Sequence, residues 1–542
     1  MSARELAPST HVDQFTRQNL PPAKLWPEFV FGLPELQYPQ RLNCVDALLD
    51  RHVREGRGER RCLLSLEETW SYAELQRRAN QIAGVLVNDF GLVPGNRVLL
   101  RGFNSPWLAA CWFGVLKAGC VVVATMPLLR SGELQPVGEM ADLQLAISDH
   151  RRLEDLQAAQ LPDVPILAFG GGQSGDLLER MERQPAQFES FATSADDVCM
   201  LAFTSGTTGR PKATMHFHRD VLAVCDTFSR HVLKPTSNDL FTGSPPLAFT
   251  FGLGGLLLFP LHAGAATLLL EQSGPEQLLE GIQRNRVTTL FTAPTAFRFL
   301  LGRLAEADLS SLRDCVSAGE TLPAATWNAW QRGTGIRIID GLGSTEMLHI
   351  FIAETPERMR PGFTGRAIPG YHAEVQDEDG RPVPDGEMGR LAVKGPTGCR
   401  YLRGDRQTVY VKNGWNLTGD IYVRDGDGYF SYRSRADDMI ISAGYNIAGP
   451  EVEEALLQHP AVLEAAVVGV PDEQRGMIVK AFVVLESTAG ESDGTIKELQ
   501  DFVKSRIAPY KYPRQIELVS ALPRTTTGKL QRFRLRQPGS SA

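Results

Sequence analysis

No apolar run among the 542 residues approaches the roughly 18 residues that a membrane-crossing helix requires. A membrane-spanning protein is therefore not expected. There is no excess of basic charge: the net charge is −7, opposite in sign to the footprint of a general nucleic-acid binder. The first residues, Met1-Ser2-Ala3-Arg4-Glu5, lack the apolar core of a secretory signal. The eight cysteines are scattered and form no C-x-x-C pair. In a chain this long they read as reduced, buried thiols of a cytoplasmic protein, and nothing supports a cysteine nucleophile. No fixed-period repeat and no low-complexity tract interrupts the sequence. Hydrophobic residues at 43% and charged residues at 22% describe a globular chain. Its length exceeds one ordinary core, so two to four domains or subdomains are expected.

What is present is concentrated in short segments. Thr204-Ser205-Gly206-Thr207-Thr208-Gly209-Arg210-Pro211-Lys212 carries four hydroxyls, two glycines and two cations, with proline its one apolar side chain. The glycines let the backbone turn tightly and bring N–H groups to an anion, and the hydroxyls add short donors. Such a loop suits a polyphosphate. It is not a Walker A loop, which needs four residues between its glycines and a lysine directly after the second. A solvated Gly/Thr turn shares the composition. The preceding run Val198-Cys199-Met200-Leu201-Ala202-Phe203 reads as a buried strand. The loop then leaves a strand end, where open α/β sheets bind ligands.

Helix and strand signals alternate along the chain. Residues 1 to about 60 read as an irregular, proline-bearing lead-in. Ser71 with Glu74 makes a capping box, and Leu75, Ala79, Ile82 and Leu86 follow on one helical face. Pro94-Gly95 precedes the strand Val98-Leu99-Leu100, a helix over Trp107 to Lys117 and the strand Val121-Val122-Val123. Further strands are expected at Leu268 to Leu270 and Thr288 to Phe291, with a helix near Gln277 to Arg284 between them. This alternation predicts an α/β sheet covered by helices. After Gly365 the turns Asp379-Gly380 and Asp425-Gly426 separate short strands, pointing to a β-rich subdomain at about 365–434. A last unit begins at 437, with a helix over Pro450 to Leu456 and strands over Ala465 to Val470 and Val479 to Leu485.

The loop at 204–212 closely resembles the phosphate-binding loop of the adenylate-forming enzymes, which include acyl-CoA synthetases, luciferase and the adenylation domains of peptide synthetases. Further segments match in the family's order over most of the chain. The resemblance implies a large N-terminal domain of packed α/β sheets over 1–436, containing the small β-rich subdomain, and a mobile α+β domain over 437–542. It also implies ATP, Mg²⁺ and coenzyme A as cofactor and co-substrates. By the same resemblance Thr204, Ser205, Gly206, Thr207, Thr208, Gly209 and Lys212 would hold the phosphates.

In Asp340-Gly341-Leu342-Gly343-Ser344-Thr345-Glu346, Thr345 would touch the α-phosphate and Glu346 would hold Mg²⁺, a hard cation suited to carboxylate and phosphate oxygens. A Gly/Ser turn before an acid at a helix start reads the same segment blandly. Ser317-Ala318-Gly319-Glu320 would pack on the adenine, and Asp340, Gly341 and Leu342 would also belong to the ATP/AMP-binding set. In Thr418-Gly419-Asp420 the aspartate would accept both ribose hydroxyls. In the run from Tyr432 to Ile440, Arg435 would contact the ribose and Asp437 would be the hinge; the family usually has glycine at Ser434. Gly444, Tyr445 and Asn446 would flank the pantetheine tunnel. Lys529, in Pro523-Arg524-Thr525-Thr526-Thr527-Gly528-Lys529, would bridge the substrate carboxylate and the ribose-phosphate oxygens. Lys529, Thr345, Glu346 and Lys212 are the expected catalytic residues, and a lysine tail in solvent is the alternative for Lys529.

Leu247 to Gly254, taken with Ser344 to Ile350, looks most like the benzoate-type aryl-CoA ligases and, within them, the 2-aminobenzoate-CoA ligases. Phe249, Thr250, Phe251, Ala318, Gly343, His349 and Ile350 would then line a flat slot for an aromatic ring. His349 reads either as a partner for a ring substituent or as a satisfied buried histidine. Benzoate ligases commonly show Ala-Tyr at the Thr250-Phe251 position. The resemblance implies small-molecule partners and a cytoplasmic monomer or homodimer that binds neither nucleic acid nor membrane. Other readings are a medium-chain fatty acyl-CoA ligase, a peptide-synthetase module, a luciferase and a nucleotide-binding protein without catalysis. The chain ends soon after Lys529, so no carrier domain is expected in cis.

Overall fold

The structure is a computed structural model that describes residues 6–172, 176–204, 211–404, 406–442, 445–472, 475–486, 494–524 and 530–536. The chain first forms a hairpin, β1 (Arg61–Leu64) and β2 (Thr69–Ser71). Ser71 then caps the helix Tyr72–Gly84, its Oγ accepting from the Glu74 amide at 3.2 Å. Only half of the expected capping box is used. The Glu74 carboxylate turns to Arg78, one helical turn on, at 2.7 Å. Leu75, Ala79, Ile82 and Leu86 are fully buried, as their helical spacing requires.

Six strands follow: β3 (Arg97–Arg101), β4 (Val121–Thr125), β5 (Leu145–Asp149), β6 (Ile166–Phe169), β7 (Val198–Thr204) and β8 (Lys212–Phe217). They make one sheet in the order β6-β5-β3-β4-β7-β8, parallel except for the β7–β8 hairpin. β3 and β5 are buried along their whole length, as a parallel sheet covered on both faces demands.

Seven more strands join β1 and β2. They are β9 (Leu240–Gly243), β10 (Ala266–Leu268), β11 (Thr289–Thr292), β12 (Asp314–Ala318), β13 (Ile338–Gly343), β14 (Ile350–Ala353) and β15 (Arg366–Ala367). The nine-stranded order is β15-β14-β13-β12-β11-β9-β10-β1-β2. β10 begins two residues before the expected strand, because its pairing with β9 sets Ala266 opposite Leu240. One apolar core serves both sheets, from Val98 and Val122 on one to Phe291 and Ile339 on the other.

The expected lead-in is irregular but not loose. It holds short helices at Phe15–Gln18, Asp46–Asp50 and Arg51–Arg54. Ser9 bonds Asp197 at 2.6 Å, and Asp13 pairs with the buried Arg97.

β16 (His372–Gln376), β17 (Met388–Lys394), β18 (Val411–Lys412), β19 (Trp415–Arg424) and β20 (Phe430–Arg435) form an antiparallel sheet. Its Val375, Leu391, Tyr422 and Phe430 belong to the main core. The last sheet, β21 (Ile440–Ser442), β22 (Tyr445–Ile447), β23 (Val462–Asp472), β24 (Gly476–Leu485) and β25 (Gln515–Leu518), has apolar clusters of its own. It meets the rest of the chain through polar contacts that include Arg524–Glu320 at 3.8 Å and Arg298 to the Leu463 carbonyl at 3.4 Å. Among the described residues no helix is long and apolar enough to cross a membrane.

Candidate active site

Two adjacent parallel strands deliver the first part of the site. β12 and β13 run in register, with Ser317 beside Asp340 and Ala318 beside Gly341. Residues 318–320 and 340–346 therefore leave the same edge of the sheet, where ligands of open α/β folds collect. After β13 the chain makes a short turn, Thr345–Met347, capped by Ser344, whose Oγ accepts from the Met347 amide at 3.3 Å. Leu348 follows with φ +71°, a region a branched side chain enters only under constraint. That twist folds β14 back on β13 and turns His349 inward.

The second part comes from the six-stranded sheet. β7 ends at Thr204, directly opposite Lys212 at the start of β8. Residues 205–210, which carry Ser205, Gly206, Thr207, Thr208 and Gly209, lie outside the described residues. Further along β8, His216 reaches across to the nine-stranded sheet: its Nε2 lies 2.9 Å from the Thr345 carbonyl. A carbonyl can only accept, so the imidazole carries its proton on Nε2. Burial lowers this histidine to about 3, with the Arg400 guanidinium adding to the effect. Its Nδ1 is 4.0 Å from Asp220, which pairs with Arg400, all three side chains being fully buried. Burial raises the Asp220 carboxyl, and Arg400 and Arg219 oppose the rise.

A third strand-like segment lies along β8. The Met215 amide bonds the Arg400 carbonyl at 2.8 Å and the Leu402 amide bonds the Ala213 carbonyl at 2.9 Å. This sets Tyr401 opposite Thr214. The Tyr401 hydroxyl donates to Glu346 Oε1 at 2.5 Å, and Lys212 Nζ lies 6.0 Å from the Tyr401 ring. Tyr410 meets Tyr401 edge-on at 6.1 Å, and its hydroxyl is 3.0 Å from Ser344 Oγ. Burial lowers the Lys212 ammonium; Arg406 adds to that, and Glu346 opposes it.

Asp420 on β19 faces Arg435 on β20, and the two pair at 2.9 Å. Arg435 also bonds the Thr418 carbonyl at 3.2 Å. Gly419 adopts φ +79°, and a Cβ there would lie 2.8 Å from an Arg435 nitrogen. Burial raises the Asp420 carboxyl against the pull of Arg435. Burial also raises the Asp340 carboxyl, to about 8, and the Gly341 amide opposes the rise. Glu320 accepts from Thr295 at 2.7 Å and faces Arg524 at 3.8 Å. Arg524 bridges to Leu530, while Lys529 between them lies outside the described residues.

Among the described residues no three acidic, histidine or cysteine side chains gather as a metal cage. Glu346, among Lys212, Arg406 and Arg435, offers a single carboxylate. That donor set fits Mg²⁺, which keeps its waters and is held by one or two carboxylates together with substrate phosphates.

The apolar part of the site surrounds His349. Phe249 precedes a helical turn, Thr250–Leu253, which widens over Gly254–Leu258. The His349 ring centre is 5.8 Å from Phe251, 5.5 Å from Phe228 and 4.6 Å from Phe259. Gly254 makes room for it, since a Cβ there would fall 2.3 Å from His349 Cδ2. His349 is 3% exposed, and neither ring nitrogen meets a partner at hydrogen-bonding geometry. Burial lowers it to about 3, outweighing the upward pull of the Phe251 backbone. Ala318 on β12 and Ile350 on β14 are buried, while Phe249, Thr250, Phe251 and Gly343 keep partial exposure.

The described structure thus gathers Thr204, Lys212, residues 318–320, residues 340–346, Asp420 and Arg435 from three sheets. Gly444 and the side chains of Asp437, Tyr445 and Asn446 lie outside the described residues. His216, Tyr401, Tyr410 and Arg406 are the residues that sequence reasoning missed. The alternation Met215-His216-Phe217 within β8 was a usable signal for His216, whereas nothing local marks Tyr401.

Residues 49–401 match the AMP-binding enzyme family, and residues 451–529 match the AMP-binding enzyme C-terminal domain. The chain is 35% identical to the benzoate–CoA ligase of Thauera aromatica, over 93% of this chain and 97% of the relative. Among solved structures, the anthranilate CoA ligase AuaEII in complex with anthranoyl-AMP superposes with a TM-score of 0.88 at 34% identity, covering 93% of this chain and 98% of that one. A benzoate CoA ligase from Burkholderia xenovorans LB400 gives 0.84 at 32% identity, covering 92% and 100%. The strand-end turns, the Asp420–Arg435 pair and these matches agree: the chain belongs to the AMP-binding enzyme family.

Proposed function

We propose that this protein is an ATP-dependent aryl-CoA ligase that activates an aromatic acid of the 2-aminobenzoate type as its acyl-AMP and passes it to coenzyme A. One observation carries the choice of acid. His349 is an uncharged imidazole walled by three phenyl rings; the Phe251 backbone draws on one nitrogen, and neither nitrogen makes a well-formed hydrogen bond. A neutral imidazole offers one donor and one acceptor. An aromatic amine can use that acceptor, and the phenyl rings favour a flat ring beside it. An aliphatic chain would leave the imidazole unsatisfied. The anthranoyl-AMP complex of the structural relative is consistent with this reading.

A carboxylate is a poor acyl donor because oxide cannot leave. In the first step its oxygen attacks the α-phosphorus of ATP and pyrophosphate departs. Catalysis of this kind is mostly positioning and electrostatics. Lys212, the hydroxyl-rich residues 204–208 and Thr345 hold the phosphates, and Asp420 with Arg435 holds the ribose. Glu346 holds Mg²⁺, which when bound supplies positive charge to the phosphoryl oxygens. Lys529 places an ammonium between the carboxylate and the α-phosphate. In the second step the thiol of coenzyme A attacks the acyl carbon and AMP leaves. Residues 437–542 then turn about Asp437, withdrawing Lys529 and bringing Gly444 to Asn446 to the thiol's entry. We place this reaction in the cytoplasm, in keeping with eight buried, unpaired thiols.

The test is an acid panel of 2-aminobenzoate, benzoate, the hydroxybenzoates, hexanoate and acetate, each with ATP, Mg²⁺ and coenzyme A. The highest kcat/KM for AMP release is expected with 2-aminobenzoate. Hexanoate as the best substrate would overturn the assignment.

A further inference from the structure

Glu346 reaches the site from a three-residue turn and keeps partial solvent exposure. A glutamate so placed has several rotamers open to it, yet a metal ligand must hold one. We infer that Tyr401 is the positioning residue: its hydroxyl clamps one carboxylate oxygen of Glu346 and leaves the other to face the divalent cation that accompanies ATP. This rests on the reading of Glu346 as the metal ligand.

Three features support the clamp. The Tyr401 hydroxyl donates to Glu346 Oε1, and the side chain is 4% exposed. Its backbone is held on either side, by the Arg400 carbonyl bonded to Met215 and the Leu402 amide bonded to Ala213. Its ring is braced edge-on by Tyr410, whose own hydroxyl is already engaged with Ser344. A carboxylate offers about four acceptor sites, so one phenol leaves the second oxygen available. The same residue lies against β8 opposite Thr214, two residues from Lys212. The cation's carboxylate and the ammonium facing the phosphates are thereby set from one strand. A tyrosine present only for packing would not need the hydroxyl, and phenylalanine would serve.

The experiment compares wild type, Tyr401→Phe and Glu346→Gln in the full-length protein. Mn²⁺ binding in the presence of ATP is read by electron paramagnetic resonance, and the two half-reactions are read separately. Tyr401→Phe is expected to weaken Mn²⁺ binding by about 10- to 100-fold, the usual cost of losing a group that orients a metal ligand. Acyl-AMP formation should slow at low Mg²⁺ and recover in part at high Mg²⁺. Thioester formation from supplied acyl-AMP should not change. The double variant should bind Mn²⁺ no worse than Glu346→Gln alone, because the phenol then has no metal ligand to orient. If Glu346→Gln weakens Mn²⁺ binding and Tyr401→Phe does not, the role of Tyr401 is refuted while the metal reading stands. If Glu346→Gln binds Mn²⁺ like wild type, the metal reading fails and the Tyr401 inference falls with it.

Discussion

His216 and His349 flank the same turn, and burial holds both near a pKa of about 3. They differ in what they touch. His216 donates to the Thr345 carbonyl and backs onto Asp220. His349 touches phenyl rings and feels the Phe251 backbone, and neither of its nitrogens makes a well-formed hydrogen bond. The first is a strut: Nε2 is bonded to Thr345, while Nδ1 has no hydrogen-bond partner and lies beside the Asp220 carboxyl. The second holds an unmet demand inside an apolar wall, which costs about 1 to 3 kcal/mol in the folded protein. A ligand that satisfies the imidazole recovers that energy, and one that does not leaves it lost. On the function proposed above, the nucleotide side of the site would be braced by His216, and His349 would be the polar group that helps choose the acid.

Several substitutions break or sharpen this contrast. The largest effect belongs to the nucleotide side. Lys529→Ala should slow acyl-AMP formation by about 100- to 1000-fold, the usual cost of one well-aimed charge. It should still convert supplied acyl-AMP and coenzyme A to thioester; equal loss of both steps would refute the division of labour. His216→Ala comes next. It leaves the Thr345 carbonyl without its donor and should destabilise the fold by about 1 to 3 kcal/mol in denaturant unfolding, with slower acyl-AMP formation for every acid. An unchanged unfolding midpoint would mean that the bond to Thr345 contributes nothing.

His349→Phe should behave differently. It removes a poorly satisfied polar group but adds one ring atom of bulk, so stability should change by no more than about 1 to 3 kcal/mol. Its kcat/KM for 2-aminobenzoate should fall by about 10-fold or more while benzoate changes little. A matching fall for both acids would mean that His349 only shapes the pocket.

The smallest effect concerns pH. The imidazole titrates at 6.5 when unfolded and at about 3 in the fold. Between those values the unfolded chain binds more protons. The stabilising contribution of neutral His349 is therefore whole above pH 6.5 and is lost as the pH falls toward 3, by at most about 1.4 kcal/mol per pH unit. Between pH 6.5 and about 5, His349→Phe should lose less stability than wild type, by up to about 2 kcal/mol. Parallel stability curves would show that His349 is not a buried neutral base.

Much of this was legible in the sequence because the signals are local. β7, the helix after Ser71 and the turn at 340–346 each follow from a run of side chains within a few residues. Half of the capping box failed because Arg78, one helical turn along, competes for Glu74. The lead-in was harder, since its order comes from contacts such as Asp13 with Arg97, far apart in the chain.

The sequence alone determined the chemistry available to this protein, through hydroxyls beside glycines, a carboxylate after Ser344-Thr345 and an aspartate two residues after Thr418. Those signals survive without a fold because they depend on neighbours along the chain. The tertiary structure decided how these groups are held: His216 to Thr345 across 129 residues, and Tyr401 to Glu346 across 55. Hydrogen bonds and burial act over a few ångströms of space whatever the distance in sequence, so only the packed sheets could give one histidine a carbonyl partner and set the other among phenyl rings.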